Sequence, residues 1–267
     1  MARVNGKIAI VTGGAMGMGN GCATVLARNG AKVALMDRSD TVHAAADTLC
    51  KEGYEVIAYQ VDVRDAAKLK EYYDDVAKKF GKIDILVNAA GIGPQRTFLN
   101  VDDEFLDNYM AINFRGIWNS CKAAVPHMLK NGYGKIVNFA SVTGVLVVDP
   151  GMTAYAATKG AIMAFTKALA IEFASRNITV NAILPGVVDT PMMRNTCKDT
   201  CPEDPDSIFN AIAAQVPMGR MGTAEEAGRV ALFLASEDSS YITGIGIVFD
   251  GGNTIPETPG SGWEPNE

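Results

Sequence analysis

Histidine and cysteine are scarce in this sequence, which argues against two common kinds of site. The 267-residue chain has two histidines, His43 and His127. Its five cysteines are scattered at Cys22, Cys50, Cys121, Cys197 and Cys201. A zinc site needs three or four clustered ligands, so we predict no bound metal. The shortage of histidine also disfavours serine–histidine and cysteine–histidine nucleophiles, so acid–base chemistry must use other groups.

Long apolar runs and basic clusters are also missing. No segment approaches the roughly 20 apolar residues of a membrane-spanning helix. The first 14 residues hold an apolar run only at 8–11, so we predict no signal peptide and a cytoplasmic protein. The net charge is −6, so neither nucleic acid nor a membrane is an expected partner. Hydrophobic residues make up 48% of the chain, enough for a large core and typical of a globular protein.

Short β-branched runs alternate with longer helical stretches. Strands are predicted at residues 7–12, 32–36, 55–61, 83–87, 135–139, 178–184 and 245–249. Helices are predicted at residues 17–29, 40–52, 65–80, 102–130 (one or two helices), 153–176 and 224–236. This alternation is typical of parallel sheets with right-handed crossovers. We therefore predict a Rossmann-like, doubly wound α/β fold, with a seven-stranded parallel sheet and helices on both faces.

No linker divides the chain before about residue 250, which predicts one domain over residues 1–253 and a C-terminal arm over 254–267. Residues 187–222 form a long, polar, proline-containing segment that we interpret as a mobile substrate lid. Its apolar side chains either pack the lid onto the body or line an adaptable pocket. They are Met192, Met193, Ile208, Phe209, Ile212, Val216, Pro217, Met218 and Met221.

A glycine-rich turn follows the first predicted strand. Gly13, Gly17 and Gly19 stand at the junction with the next helix, and Met18 lies between the last two. Glycine there permits a tight turn and brings the backbone close to a pyrophosphate at the helix N-terminus. The spacing G-x-x-x-G-x-G differs from the commoner G-x-G-x-x-G, and a tight turn without a ligand is the alternative.

An acidic residue ends the second predicted strand. Asp37 stands near the spacing after Gly13 at which a carboxylate binds the adenosine ribose of NAD and repels the 2′-phosphate of NADP. Capping of the next helix is the alternative role for Asp37. Arg38 could instead hold a 2′-phosphate, whereas Met16 stands where many NADP sites have a basic residue. We therefore predict NAD as the cofactor, in preference to NADP.

Further polar or small residues follow the next two strands. Asp62 and Val63 end the third, and Asn88, Ala89 and Gly91 end or follow the fourth. Open α/β sheets bind ligands at the carboxyl ends of their strands, so these residues are predicted to bind the cofactor. Helix capping is the alternative for Asp62.

A tyrosine and a lysine four residues apart begin a strongly helical run. Tyr155 and Lys159 share one helix face, although such pairs are usually surface contacts. A nearby ammonium lowers the phenol pKa from about 10, so the tyrosine can exchange a proton with an alcohol or ketone. Ser141 follows the fifth strand, where its hydroxyl could bind a carbonyl oxygen. Asn113 indicates either a buried hydrogen-bonding role or a turn between two helices.

Taken together, these elements resemble the single-domain short-chain dehydrogenase/reductase superfamily over nearly the whole chain. Residues 141–159 and 239–256 look most like its bacterial UcpA-type oxidoreductases. The resemblance implies that Tyr155 is the general acid/base and that Ser141 orients the reacting oxygen. It also implies that Lys159 binds the nicotinamide ribose and lowers the tyrosine pKa, and that Asn113 supports a proton-relay water.

The same resemblance assigns residues 185–190 to the nicotinamide carboxamide. Pro185 and Gly186 begin this segment, Val188 binds through its backbone, and Thr190 binds through its side chain. Two positions depart from the family pattern. Ala89 replaces the second asparagine of an Asn-Asn-Ala-Gly element, and Ala140 replaces the first serine of a Ser-Ser pair. The first change removes an amide near the cofactor, and neither removes a catalytic group.

The sequence thus predicts an NAD-dependent oxidoreductase that interconverts a secondary alcohol and a ketone, with a bulky apolar substrate such as a hydroxysteroid or bile acid. A reductase of 3-oxoacyl thioesters or of small aldehydes and ketones is the alternative enzyme. A non-catalytic NAD-sensing protein or a methyl-donor transferase would not need the Tyr155–Lys159 pair. Residues 153–173 are apolar nearly all round, which together with the resemblance predicts a homotetramer.

Overall fold

Buried β-branched residues form the central strands of the molecule. The computed structural model describes residues 4–256, so most of the predicted C-terminal arm lies outside the described residues. The strands in this range are β1 Ile8–Thr12, β2 Lys32–Asp37, β3 Val56–Gln60, β4 Ile85–Asn88, β5 Gly134–Phe139, β6 Ile178–Pro185, β7 Val188–Asp189, β8 Gly222–Thr223 and β9 Gly246–Phe249. The α-helices are α1 Gly17–Arg28, α2 Thr41–Lys51, α3 Ala66–Phe80, α4 Asp103–Tyr109, α5 Gly116–Asn131, α6 Thr153–Phe173, α7 Pro191–Thr200, α8 Pro205–Gln215 and α9 Ala224–Ala235.

Seven of these strands form one parallel sheet. Their order is β3-β2-β1-β4-β5-β6-β9, and every neighbouring pair is parallel. This confirms the predicted seven-stranded Rossmann-like sheet. The strand order reverses between β1 and β4, and such a switch point opens a crevice at the carboxyl ends of the strands.

Successive residues of each strand are buried against opposite layers of helices. Ile8 and Ile10 of β1 belong to a core with α3, α5 and α6. Ala9 and Val11 belong to a second core with α1, α2 and α9. Because both faces are covered, the strands are apolar at consecutive positions rather than at alternate ones.

Most of the predicted lid over residues 187–222 is helical, since α7 and α8 occupy most of this segment and β7 pairs with β8 at its base. The Thr190 hydroxyl caps α7 by accepting from the Met193 N–H at 3.3 Å. Asp204 caps α8 by accepting from the Ser207 N–H at 3.1 Å. Each cap is followed by a proline in the first helical turn, which is a helix-start signal that the sequence analysis overlooked.

The predicted helix over 102–130 is two helices joined by a π-helical turn at Met110–Arg115, which contains Asn113. The predicted helix over 153–176 ends at Phe173 and continues as a 3₁₀ turn at Ala174–Arg176. None of the helices within residues 4–256 has the length and apolar character that crossing a membrane requires.

Candidate active site

The turn between β1 and α1 is built on close backbone contacts. A Cβ at Gly19 would lie 2.0 Å from the Gly13 carbonyl oxygen, and a Cβ at Gly13 would lie 2.8 Å from the Ala90 nitrogen. Gly13 also has a φ of +69°, in the left-handed region that favours glycine. These two glycines therefore let α1 begin directly above the ends of β1 and β4.

A cavity of about 590 Å³ opens beside this turn. Eleven of the residues predicted to bind the cofactor line it: Gly13, Gly17, Met18, Gly19, Asp37, Arg38, Asp62, Val63, Ala89, Gly91 and Thr190. The N-cap of α1 is Met16, which provides no side-chain acceptor for the first N–H groups of the helix. These N–H groups suit an anion, so the cavity fits a dinucleotide with its pyrophosphate at α1.

Two carboxylates stand on the side of the cavity formed by β2 and β3. Asp37 accepts from the Ala15 N–H at 3.2 Å and from the Ser39 N–H at 2.9 Å, so it fixes the glycine turn as well as facing the cavity. Arg38 next to it is exposed. Asp62 is bound by the Arg64 guanidinium at 2.6 Å, and this hydrogen bond lowers the pKa of Asp62 below its ordinary value. Asp62 is therefore a charged group at the cavity rim.

Asn88 was predicted to bind the cofactor, but its side chain does not line the cavity. It is buried within the sheet, where its Nδ2 donates to Asn138 Oδ1 at 2.9 Å. Asn138 in turn donates to Thr166 Oγ1 at 3.0 Å. This chain joins β4, β5 and α6, so the Asn88 side chain supports the sheet beneath the site.

Ser141 and Tyr155 meet at the carboxyl end of β5. Ser141 is buried; its hydroxyl accepts from the Thr143 N–H at 3.1 Å and donates to the Pro185 carbonyl at 3.4 Å. The pKa of Tyr155 is raised above its ordinary value, because the effect of burial outweighs the opposite effect of the nearby Ser141 hydroxyl. The two hydroxyls therefore face the same point, where a substrate oxygen could bind both.

Lys159 lies on the same face of α6 but does not contact the phenol hydroxyl. Its Nζ donates to the Phe139 carbonyl at 2.7 Å and lies 5.5 Å from the centre of the Tyr155 ring. The side chain is 6% exposed, and this burial lowers the pKa of Lys159 to about 8. Burial therefore keeps the pKa of Tyr155 above its ordinary value in this structure, and the nearby Ser141 hydroxyl partly opposes that shift.

Asn113 uses its side chain to hold the backbone that follows β4. Its Oδ1 accepts from the Ile92 N–H at 2.8 Å, and its Nδ2 donates to the Ile92 carbonyl at 3.0 Å and to Thr158 Oγ1 at 3.3 Å. Both polar atoms are thus bound to protein groups, which makes Asn113 a positioning residue. The relay of protons by a water at Asn113 stays a prediction.

The segment after β6 brings the predicted carboxamide-binding residues to the same edge. Gly186 is required by close packing, since a Cβ there would lie 2.7 Å from Asp250 Cβ. Val188 pairs with Gly222 in the short ladder between β7 and β8. Thr190 stands beside Gly17, with 3.7 Å between its Cβ and the position a Gly17 Cβ would take. The predicted nicotinamide-binding segment therefore adjoins the glycine turn.

Eight further residues line the cavity without having been predicted to bind the cofactor: Met16, Ser39, Val61, Ala90, Ile92, Ile112, Pro191 and Met192. Ser39 and Ile92 follow the carboxyl ends of β2 and β4. The expectation that ligands bind at these strand ends, which identified Asp37 and Gly91, therefore applies to them as well. Met192 is the second residue of α7, and its position depends on how that helix packs, which no local pattern indicates.

The buried ammonium of Lys159 predicts a pH-dependent stability. Its pKa is about 8 in the folded protein and about 10.4 in an unfolded chain. Below pH 8 the buried side chain is charged, and the cost of burying this ammonium lowers the free energy of unfolding in full. This cost disappears as the pH rises from 8 to 10.4, because the folded protein then holds Lys159 neutral. We expect the free energy of unfolding to rise by about 2 kcal/mol between pH 7 and 9.5, relative to Lys159→Met. Denaturant titrations of both proteins at each pH measure this. A difference in free energy of unfolding between wild type and Lys159→Met that stayed constant from pH 7 to 9.5 would contradict the prediction.

Comparison with known proteins agrees with this geometry. The family model described as enoyl-(acyl carrier protein) reductase matches residues 13–254. The chain is 45% identical over 258 residues to oxidoreductase UcpA of Escherichia coli strain K12, covering 97% of this chain and 98% of the relative. It is 38% identical to the 3-oxoacyl-[acyl-carrier-protein] reductase FabG of Thermotoga maritima, covering 95% of this chain and all of the relative.

A solved structure, levodione reductase, superposes with a TM-score of 0.90 at 32% identity, covering 94% of this chain and 99% of that one. Sequence and structure therefore match the same group of enzymes over nearly the same residues. With the glycine turn, the strand-end residues and the Ser141, Tyr155 and Lys159 cluster all at one sheet edge, the chain belongs to the short-chain dehydrogenase/reductase superfamily of oxidoreductases.

Proposed function

We propose that this oxidoreductase interconverts a secondary alcohol and a ketone with NAD as its cofactor. The observation that carries the proposal is the position of Tyr155. Its side chain lies beside the Ser141 hydroxyl at the end of β5, and the adjoining cavity has the form of a dinucleotide site. A non-catalytic NAD sensor would have no need for this pair of hydroxyls.

Each polar group has a distinct task in the proposed reaction. The bound nicotinamide supplies the hydride acceptor for oxidation and the donor for reduction. Ser141 holds the substrate oxygen, and Tyr155 takes its proton during oxidation or returns it during reduction. Lys159 donates to the Phe139 carbonyl, and its ammonium, 5.5 Å from the centre of the Tyr155 ring, is proposed to bind a ribose and to favour the phenolate.

The choice of NAD over NADP rests on Asp37. A carboxylate beside the adenosine ribose accepts from its 2′-hydroxyl and repels a 2′-phosphate. We expect Asp37→Ala to lower the ratio of NADH affinity to NADPH affinity by about tenfold. The variant loses both the hydrogen bond to the 2′-hydroxyl and the repulsion of the 2′-phosphate. Binding titrations with both reduced cofactors measure this ratio.

Asp40→Ala is the matched control, because Asp40 is exposed nearby and makes no side-chain cap. It removes the same charge and should leave the ratio unchanged. A wild-type protein that binds NADPH more tightly than NADH would contradict the proposed role of Asp37.

A bulky apolar substrate, such as a hydroxysteroid or bile acid, is proposed from the surface around Tyr155. Leu146, Val147 and Val148 on the loop after Ser141 are exposed, and so is Met192 on the lid. Apolar side chains of this size suit the binding of a large hydrophobic ring system. Purified enzyme tested with NADH and a ketosteroid should consume NADH, and the absence of turnover with every bulky ketone would contradict this substrate class.

Reduction of 3-oxoacyl thioesters is the second candidate, favoured by the relatives of that name at 38% and 39% identity. The net charge of −6 opposes docking of an acidic carrier protein, and Asp37 opposes NADPH. Acetoacetyl-CoA with NADPH discriminates the two functions. Faster turnover of this pair than of a ketosteroid with NADH would favour the thioester reductase.

A homotetramer is proposed from apolar side chains left exposed at two places. Met110, Trp118 and Ile171 are exposed on the π-helical turn, α5 and α6, with Ile171 81% exposed. Tyr241, Ile245 and Val248 are exposed near β9. Apolar side chains of this size are usually covered in subunit interfaces. Light scattering at micromolar concentration tests the proposal, and a monomeric mass would contradict it.

Residues 187–222 are proposed to close over the nicotinamide as a lid. Helix α8 has no buried residue, so this part of the segment has few core contacts. Met192 at the start of α7 reaches the cleft, since its Sδ would lie 3.0 Å from a Cβ at Gly93. Hydrogen exchange should show rapid exchange in α8 that slows with NADH and ketone, and slow exchange without ligand would contradict the lid.

A further inference from the structure

Tyr109 is a buried tyrosine that packs against the proposed acid/base. It is the last residue of α4 and is 1% exposed. Its ring meets the Tyr155 ring edge to face, with 6.4 Å between the centroids and planes 88° apart. Phe105 holds the other side of the Tyr109 ring at 4.9 Å between centroids. The sequence analysis gave Tyr109 no role, because α4 carries no motif at this position.

The Tyr109 hydroxyl holds the backbone beside Tyr155. It donates a hydrogen bond to the Pro94 carbonyl oxygen. Four residues further on, Asn113 binds both the N–H and the carbonyl of Ile92. In the part of the chain that the structure describes, residues 91–95 make no hydrogen bonds to other backbone groups, and the next such bond is from Arg96 N–H to the Gly151 carbonyl at 3.0 Å. Two side chains from successive turns therefore hold this segment.

The held segment lies against Tyr155 itself. A Cβ at Gly93 would lie 3.8 Å from Tyr155 Cε2, which is ordinary van der Waals distance. Gly93 stands between Ile92 and Pro94, the two residues whose backbone groups are bound by Asn113 and Tyr109. Displacing Pro94 would therefore move the wall that the Tyr155 ring packs against.

We propose that Tyr109 is a positioning residue that fixes the Tyr155 ring, directly through its own ring and indirectly through the Pro94–Gly93 backbone. The inference rests on the proposed role of Tyr155 as the acid/base. Tyr109 itself does not exchange protons with substrate, because its hydroxyl is bound to Pro94 and burial raises its pKa far above the ordinary value. Its effect on catalysis is to keep the Tyr155 hydroxyl aligned with Ser141.

Two variants separate the two contacts. Tyr109→Phe keeps the ring and loses the hydrogen bond to Pro94, and Tyr109→Leu also loses the ring contact. Tyr73→Phe is the matched control, because Tyr73 is equally buried but packs in the core formed by α3 and α5. All proteins are labelled with 3-fluorotyrosine, and the resonance missing from the Tyr155→Phe spectrum identifies Tyr155 by fluorine NMR. This readout needs no substrate.

We expect Tyr109→Phe to shift or broaden the Tyr155 resonance, and Tyr73→Phe to leave it unchanged. With a ketosteroid that the wild type reduces, kcat should fall about tenfold in Tyr109→Phe while KM changes little, because misalignment affects the reacting geometry. An unchanged Tyr155 resonance in Tyr109→Phe would overturn the proposal, even if thermal stability fell. If Tyr109→Leu does not fold, Tyr109→Phe alone decides the question. Turnover by Tyr155→Phe would instead refute the proposed function. The fluorine resonance of Tyr155 would still show whether Tyr109 fixes the position of the Tyr155 ring.

Discussion

Tyr155→Phe is expected to lower turnover by about 10²- to 10⁴-fold while leaving NADH affinity nearly unchanged. The substitution removes only the hydroxyl that lies beside Ser141. The ring that packs against Tyr109 and Gly93 stays in place. The lost group is therefore the proposed proton donor and acceptor, and the cavity that fits the dinucleotide is intact. Steady-state rates and NADH titrations on the same preparation measure the two effects.

The control for this variant is Tyr73→Phe, which also deletes a buried hydroxyl but lies in the helical core. It should retain wild-type turnover. If the Tyr155→Phe protein kept more than about a tenth of wild-type activity, another group would be carrying the proton.

Gly19→Ala is expected to weaken NADH binding by about a hundredfold, which is roughly 3 kcal/mol. The new Cβ would lie 2.0 Å from the Gly13 carbonyl oxygen, so α1 must move away from the turn. That movement displaces the N–H groups at the start of the helix, which face the proposed pyrophosphate position. Calorimetric titration with NADH measures the loss, and a thermal melt shows how much of the fold is disturbed.

Gly53→Ala is a suitable comparison, because Gly53 has a φ of +93° and nothing within 4 Å of its Cβ position. It should lose about 1–2 kcal/mol of stability from backbone strain alone. NADH affinity should be unaffected. Tight NADH binding by Gly19→Ala would show that the helix N-terminus is not where the cofactor sits.

The sheet could be predicted from sequence because burial on both faces makes the central strands largely apolar at consecutive positions. β1 and β2 are clear examples, since four or more consecutive residues of each are buried. The glycine turn and Asp37 were found for a related reason. Strand ends are visible in the sequence, and a parallel sheet places all of them at one edge.

The features that the sequence did not reveal depend on contacts between distant residues. Asn88 stands at a strand end like Asp37, but its side chain is bound by Asn138, which lies 50 residues away. The contact between Tyr109 and Tyr155 joins α4 to α6 and leaves no local pattern. The helices of residues 187–222 are a different case. Their caps at Thr190 and Asp204 were present in the sequence, and the polar composition obscured them.

The central claim is that this chain oxidises secondary alcohols with NAD⁺. The most direct test follows the NADH absorbance band while purified protein is mixed with NAD⁺ and a panel of hydroxysteroids, sugars and short secondary alcohols. The account predicts NADH formation with at least one bulky secondary alcohol, faster with NAD⁺ than with NADP⁺, and its loss in Tyr155→Phe. A protein that binds NAD⁺ but converts no alcohol of the panel, and no corresponding ketone with NADH, would contradict the account.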